Sequence, residues 1–279
     1  MKKWLWFLIG FFAILIILGG LFFASLTSGK IIGALLYIDE GTVQVDSGNG
    51  WQPAVDGMEL SINDKVQTLE GKATIALYEG ELIRLGPNTQ ISIKELSQQK
   101  ITISQEAGST WSRLTKLGGV AEYNVETPTT VATVRGTGFG IIISGQKNDL
   151  LVGEGTVTFG AKGEEGGQIT EGWKGTIASR LVKAQLTNEE KNWVNGHRAN
   201  DIETLKKIRR KIINKHKFVL GIIKKTAKLT DEDIERGLKS LDAGEGDIDE
   251  MAKKAPMKIP DLDRIVQITK QIRKMQGIA

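Results

Sequence analysis

The chain has 279 residues, a length that allows one or two domains with a sizeable core. It contains no cysteine and only two histidines, which excludes disulfides, thiolate zinc sites, cysteine nucleophiles and most histidine-based metal or catalytic sites. The net charge of +4 is uneven, with −5 over residues 31–183 and +6 over residues 184–279, so an electrostatic role is expected only for the C-terminal part.

An uncharged stretch of 23 residues runs from Trp4 to Leu26. As a helix it would measure about 34 Å, long enough for the ~30 Å hydrocarbon core of a bilayer. Lys2 and Lys3 precede it, which favours a cytoplasmic N-terminus and export of the rest of the chain. A cleaved signal peptide is the alternative, although its apolar region normally spans only about 7–15 residues. We expect residues 1–29 to cross the cytoplasmic membrane once as an anchor.

Residues 30–183 are predicted to form a glycine-rich, mainly β domain. Short alternating or β-branched runs recur there, such as GTVQV, KATIALY, QISIKEL and TVTFG, and turn signals such as DSGNG and GPN separate them. Many short strands at close spacing indicate an all-β sandwich, barrel or solenoid. The sequence YEGEL, residues 78–82, is typical of a tight turn between two paired strands.

Within this part, residues 131–143 place Arg135 beside glycines spaced two apart. Because strand side chains alternate between faces, one face carries the arginine and the other presents Gly136, Gly138 and Gly140. Such a bare face indicates close packing of another layer or a bulged bend. Arg135 is expected either to pin this corner by bonding a carboxylate or turn carbonyls, or to bind an anion at the surface. A nucleotide loop is not favoured, since GxGxxG spacing and a following helix are both missing.

Four segments in this order resemble the FecR domain family: GWQPAVDGMELSINDKVQT (50–68), GKATIALYEGELIRLGPNTQISI (71–93), VETPTTVATVRGTGFGI (125–141) and VGEGTVTF (152–159). The resemblance implies an extracytoplasmic all-β domain used in envelope signalling or as a binding and scaffold module. It implies no catalytic residue, metal ligand or cofactor. The residues that match the family motif, which we predict to be structural, are Trp51, Pro53, Gly57, Gly86, Pro87, Thr127, Pro128, Arg135, Gly136, Thr137 and Phe139.

Residues 184–279 are predicted to form an α-helical tail. Thr187 and Glu190 have capping-box spacing, so a helix is expected to begin there, and the same signal recurs at Thr230. A last helix is predicted to open at Pro260, and the acidic sequence DAGEGDIDE before it is interpreted as a flexible linker. An apolar stripe at about helical spacing is formed by Ile202, Leu205, Ile208, Ile212, Val219 and Ile223.

A basic run without acids lies between Glu203 and Asp231. It is interpreted either as the solvated face of a packed helix or as a contact with an anionic surface, such as lipid headgroups, an anionic wall polymer or the acidic β domain. Nucleic acid is not favoured, because no stacking aromatics lie between the charges. The candidate contact residues are Lys206, Lys207, Arg209, Arg210, Lys211, Lys215, Lys217, Lys224, Lys225 and Lys228.

These features predict a membrane-anchored extracytoplasmic protein that acts as a non-catalytic binding or scaffold module in the cell envelope. Its expected partner is another envelope protein or an anionic surface polymer. The alternative is an envelope signal-transduction regulator of the FecR type that works through a membrane partner. A carboxylate-based envelope hydrolase is a third hypothesis, but the acids of the middle part are scattered, mostly at turns.

Overall fold

The computed structural model describes residues 33–77, 81–97, 99–115, 120–216, 221, 224–225, 230–253 and 261–278. The predicted membrane anchor over residues 1–29 lies outside this set. Within the set, no helix is both long and apolar enough to cross a membrane. Of the described residues, 44% lie in strands and 28% in helices, which confirms the mainly β fold.

The strands with described bounds are β1 Ala34–Glu40, β2 Val43–Asp46, β3 Gln52–Pro53, β4 Met58–Glu59, β5 Lys65–Thr68, β6 Lys72–Leu77, β7 Glu81–Leu85, β8 Thr89–Leu96, β9 Lys100–Arg113, β10 Glu122–Glu126, β11 Thr130–Val134, β12 Gly138–Ser144, β13 Lys147–Glu154, β14 Thr156–Ala161, β15 Gly167–Thr170, β16 Trp173–Ile177 and β17 Leu181–Gln185. The helices with described bounds are α1 Asn188–Lys215, α2 Asp231–Asp242, α3 Ile248–Lys253 and α4 Leu262–Gln276.

The strands form two sheets that share β9. Sheet 1 has the order β4-β1-β6-β7-β9-β12-β13-β16-β17, and sheet 2 has the order β3-β2-β5-β8-β9-β10-β11-β14-β15. Gly108 lies where β9 passes from sheet 2 to sheet 1 and has φ +79°. A Cβ there would lie 2.5 Å from the Asn88 carbonyl oxygen, so only glycine fits this passage.

One apolar core lies between the two sheets. Leu36 and Ile75 of sheet 1 and Val66 and Ile91 of sheet 2 all belong to it and are fully buried. The two sheets therefore share one core. The predicted tight turn also fits, because β6 and β7 pair antiparallel with Leu77 opposite Glu81; residues 78–80 lie outside the described set.

The strand predicted over residues 131–143 is in fact two strands in different sheets. Ala132 and Val134 are buried in β11 of sheet 2, whereas Phe139 and Ile141 are buried in β12 of sheet 1. Gly136, with φ +66°, lies in the turn between them. The prediction of one continuous alternation through this segment is therefore wrong. Even-numbered residues face the core in β11, whereas odd-numbered residues face it in β12.

The helical tail begins as predicted. Thr187 accepts a hydrogen bond from the Glu190 amide and the Glu190 carboxylate accepts one from the Thr187 amide, and Thr230 forms the same capping box with Asp233. The apolar stripe packs Leu205 and Ile212 of α1 against Ile268, Ile272 and Met275 of α4, while Val219 and Ile223 lie outside the described set. Pro260 also lies outside it, and α4 begins at Leu262.

The flexible linker predicted over residues 242–250 is wrong. Asp242 is the buried last residue of α2, and α3 begins at Ile248, which is also buried. Between them the chain turns at Gly244, with φ +86°. The acidic composition suggested a solvated linker, but burial of Asp242 beside a cation fixes this part of the chain.

Candidate functional site at the junction of sheet 1 and α1

The outer face of sheet 1 carries helix α1 where glycines leave room for it. Gly138 and Gly140 point outward from β12 while their neighbour Phe139 points into the core. A Cβ on Gly140 would clash with the Trp193 ring of α1, and one on Gly138 would lie 2.5 Å from the guanidinium carbon of Arg113. The prediction that these glycines serve packing is confirmed for both residues.

The rings of Trp111, Trp193 and His197 lie where α1 contacts sheet 1. We call this contact region the junction. Trp111 of β9 stacks on His197 of α1 with ring centroids 5.2 Å apart, and Trp193 meets His197 edge to face at 4.3 Å. Burial, helped by the positive charges of Arg84 and Lys72 and opposed by the charge of Asp201, lowers the pKa of His197 to about 4. His197 is therefore neutral at pH 7.

The centre of the junction is a buried carboxylate. Asp201, one helical turn beyond His197, is fully buried and accepts hydrogen bonds from Trp111 Nε1 and Arg113 Nε, each at 2.8 Å. Its other oxygen lies 3.3 Å from both Nε and Nη2 of Arg84, which also donates to Thr204 Oγ1 at 2.9 Å. A buried charge needs such partners, because desolvating it alone costs several kcal/mol, about 3–5 when one partner is removed.

A second carboxylate extends the network to α4. Glu154 of β13 pairs with Arg113 Nη1 and with Lys274 Nζ, the latter at 2.7 Å. Burial alone would raise the pKa of Glu154, but the charges of Arg113 and Lys274 hold it below its ordinary value. The network thus joins three strands of sheet 1 to both α1 and α4.

The charges of the network do not cancel. Three cations, Arg84, Arg113 and Lys274, face two carboxylates, Asp201 and Glu154. The network therefore has one more cation than carboxylate, and its most exposed cation is Lys274, with a side chain 65% exposed. A cleft of about 390 Å³, lined by residues of α1 and of the sheet, opens beside Arg84, and we call it the junction cleft. No group of three or more histidine, aspartate or glutamate side chains suited to a metal ion occurs among the residues that the structure describes.

Two residues of the family motif reach the junction cleft. Gly86 and Pro87 line that cleft, and the Gly86 amide donates to Ser109 O at 2.9 Å. Thr127 closes the turn around Pro128, since its hydroxyl accepts from the Thr130 amide at 2.9 Å. Three further motif residues lie outside this site: Trp51 is half-buried, Pro53 pairs with Gln44, and the Gly57 amide donates to Leu36 O.

Arg135 does not pin the corner. Its side chain is exposed, and it makes no ion pair within the described part of the chain. It lines a second cleft, of about 480 Å³, together with Gly136. Thr137 and Phe139 of the same motif are buried. The prediction of a pinning arginine is therefore wrong for Arg135, and the buried arginine of this region is Arg113.

The basic run divides into buried, paired and free side chains. Arg209 is 2% exposed and forms two hydrogen bonds with Asp242, at 2.6 and 2.8 Å. The prediction that Arg209 contacts an anionic surface is therefore wrong. Ion pairs hold Lys206 to Glu203, Arg210 to Glu235, and Lys224 to Asp231. The exposed side chains without an ion pair to any described residue are those of Lys207, Lys211, Lys215 and Lys225; Lys217 and Lys228 lie outside the described set.

Sequence reasoning missed Arg84, Arg113, Glu154 and Asp201. One signal was available, because Asp201 lies four residues before Leu205, at the spacing of the apolar stripe. A carboxylate on the buried side of a helix requires a cation, although the sequence does not say which one.

Comparison with known proteins identifies part of the chain. The fold alone, a two-sheet domain with helices packed on it, places the chain in a broad class of β proteins and identifies no family. Residues 64–158 match the family described as FecR protein, and this confirms the resemblance. The match includes Arg84, Arg113 and Glu154, whereas Asp201 lies outside it. No curated protein matches the sequence.

Two crystal structures of a candidate anti-sigma factor from Parabacteroides distasonis ATCC 8503 are similar to part of the chain. Their TM-scores are 0.41 and 0.40, each at 14% identity and over 47% of this chain. The chain spans 65% and 63% of the length of these relatives.

Proposed function

We propose that this chain is a FecR-type regulator of signal transduction that catalyses no reaction. The observation that carries the proposal is the FecR match over residues 64–158. The junction supports it, since Arg84 and Arg113 of the matched segment hold Asp201, which belongs to the tail. In this proposal the FecR domain receives the signal and α1 passes it to the other helices.

The buried network gives the relay a physical basis. Moving α1 away from sheet 1 would separate Asp201 from Arg113, and loss of one partner of a buried pair costs about 3–5 kcal/mol. The docked arrangement is therefore strongly favoured until binding elsewhere on the domain offsets this cost. Because Leu205 of α1 packs against Ile268 and Ile272 of α4, the same movement would also shift α4.

The proposal includes a location and a partner. The sequence Trp4–Leu26 would anchor the chain, with the β domain and helices outside the cytoplasm and a membrane protein as signalling partner. Protease added to spheroplasts should then digest the β domain while a cytoplasmic marker stays intact. Protection of the β domain until the membrane is lysed would contradict this location.

Transcript profiling tests the regulatory role. Deletion of the protein in its native host should change a defined set of transcripts under envelope stress, and the wild-type chain should restore them. Asp201→Asn should fail to restore them at equal protein abundance, because it weakens the relay. Asp249→Asn, which alters an exposed ion pair with Lys270, is the matched control and should restore them. Unchanged transcripts after deletion under every stress applied would overturn the proposal.

A second candidate is the binding or scaffold role, which the free lysines favour. Lys211, Lys215 and Lys225 are exposed and lack ion pairs within the described residues. In this role the chain would adhere to an anionic lipid or wall polymer, and salt would weaken the contact. Sedimentation with anionic and zwitterionic vesicles tests it, using a variant with these lysines changed to glutamine. Equal sedimentation of wild type and variant would contradict the role.

A further inference from the structure

We propose that the junction cleft binds a small ligand that carries a phosphate or carboxylate group on a ring-shaped or apolar body, such as a sugar phosphate or a uronic acid. The proposal concerns binding alone and does not depend on the regulatory role. The cleft volume of about 390 Å³ lies at the lower end of the range for small-molecule sites, about 300–1,000 Å³.

The lining of the cleft includes three cations, Lys72, Arg84 and Lys207, and two acids, Asp39 and Glu203. His197 adds no charge at neutral pH, because burial holds its pKa at about 4. Asp201 pairs with Arg84 and Glu40 pairs with Lys72, so Lys207 is the lining cation left to bind a single negative group.

The three cations of the cleft differ in whether a protein carboxylate already pairs with them. Arg84 belongs to the buried network, where it already binds Asp201, and its side chain is only 15% exposed. Lys207 is exposed and makes no ion pair with a described residue. Lys72 pairs with Glu40 at 2.7 Å, but its side chain is 52% exposed and can exchange that partner. Lys207 is therefore the cation most available to a ligand.

The acids of the cleft are partly occupied by protein groups. Asp39 Oδ2 accepts a hydrogen bond from Thr74 Oγ1 at 2.7 Å, and Glu203 pairs with Lys206 at 2.9 Å. Their remaining oxygens can accept from ligand hydroxyl groups, as a sugar would require. A polyhydroxylated body beside the anionic group satisfies both kinds of lining residue.

Part of the cleft lining is aromatic and apolar. Trp193 and His197 supply rings from α1, and Pro87 lines the cleft from the turn after β7. Packing fixes these rings in advance, since Trp193 fills the space above Gly140 and His197 stacks on Trp111. A preformed wall of this kind binds the apolar face of a ring at little cost in conformational entropy.

Calorimetric titration of the full chain in detergent micelles tests the site. The probes are glucose 1-phosphate and glucuronate, with glucose and inorganic phosphate as comparisons. The two anionic sugars should bind at least about tenfold more tightly than glucose, since a hydrogen bond to a charged group contributes about 1.5–3 kcal/mol. Inorganic phosphate should bind more weakly than glucose 1-phosphate, because it lacks the ring.

Matched lysine variants place the binding in the cleft. Lys207→Gln should weaken glucose 1-phosphate binding about tenfold. Lys211→Gln, one turn further along the exposed side of α1 and outside the cleft, should leave the affinity unchanged. Equal losses in the two variants, no binding of either anionic sugar, or phosphate binding as tight as that of glucose 1-phosphate would each overturn the proposal.

Discussion

Asp201 of α1 accepts a hydrogen bond from Arg113 Nε of β9 at 2.8 Å, across 88 residues of sequence and with both side chains fully buried. This contact ties the helical tail to the β domain. Val194 and Leu186 bury apolar surface around this contact. The ion pair, however, determines where the helix lies along the sheet. A shift of α1 by one residue would turn Asp201 away from Arg84 and Arg113.

Asp201→Ala should destabilise the protein by about 3–5 kcal/mol, because it leaves the buried guanidinium of Arg113 with one carboxylate partner fewer. Urea unfolding, followed by circular dichroism, measures the change. Asp249→Ala is the control, because Asp249 forms an exposed pair with Lys270 and should contribute only about 0–1 kcal/mol. Similar losses in the two variants would show that burial of the Asp201 network contributes nothing.

Gly140→Ala should loosen α1, since the added methyl group would overlap the Trp193 ring. Overpacking of this kind costs about 1–3 kcal/mol. Hydrogen exchange should rise over the first half of α1 while the strands of sheet 2 stay protected. Gly196→Ala is the control on the helix itself. Nothing lies within 4 Å of its added Cβ, and it should stabilise by about 0.5–1 kcal/mol. Unchanged exchange in Gly140→Ala would contradict the packing role of this glycine.

The sequence predicts those parts of the fold that depend on nearby residues. Both capping boxes involve residues three apart, and the β6–β7 pairing depends on a short turn between two β-branched runs. The packing role of the glycines in β12 is also predictable from the sequence. Their missing side chains leave space on one face of the strand, whichever element fills that space.

The partners of Asp201 could not be predicted, because they lie 88 to 117 residues away and follow no local pattern. Arg135 stands among glycines in the sequence, yet its side chain is exposed beside the turn at Gly136. Arg113 occupies a plain strand position in the sequence. Its role arises only because β9 passes between two sheets and brings its end beneath α1.

Arg209 and Arg210 are neighbours with opposite expected effects. Arg209→Ala should cost about 3–5 kcal/mol, since it strands the buried carboxylate of Asp242, whereas Arg210→Ala removes a solvent-exposed pair with Glu235 and should cost about 0–1 kcal/mol. Thermal unfolding of the two variants measures the difference. Equal melting temperatures would contradict the burial of Arg209 and restore it to the exposed basic face.

Stability should fall as the pH drops from about 6.5 toward 5, because of His197. Its pKa is about 4 when folded, against 6.5 for an ordinary histidine, so the unfolded chain binds more protons in this window. Stability rises with pH wherever the unfolded state binds more protons, and the expected change down to pH 5 is on the order of 2 kcal/mol.

The carboxylates with lowered pKa do not interfere with this test. Glu154 loses its stabilising charge only as the pH falls below its ordinary value of 4.5, and the same holds for Glu190. Urea unfolding at pH 5, 6 and 7 should therefore report His197 in the main. His197→Gln should flatten the dependence, because glutamine does not titrate and still fills the space beside Trp111. A slope that persists in His197→Gln would mean that another group titrates in this window and that the junction is not the source of the pH dependence.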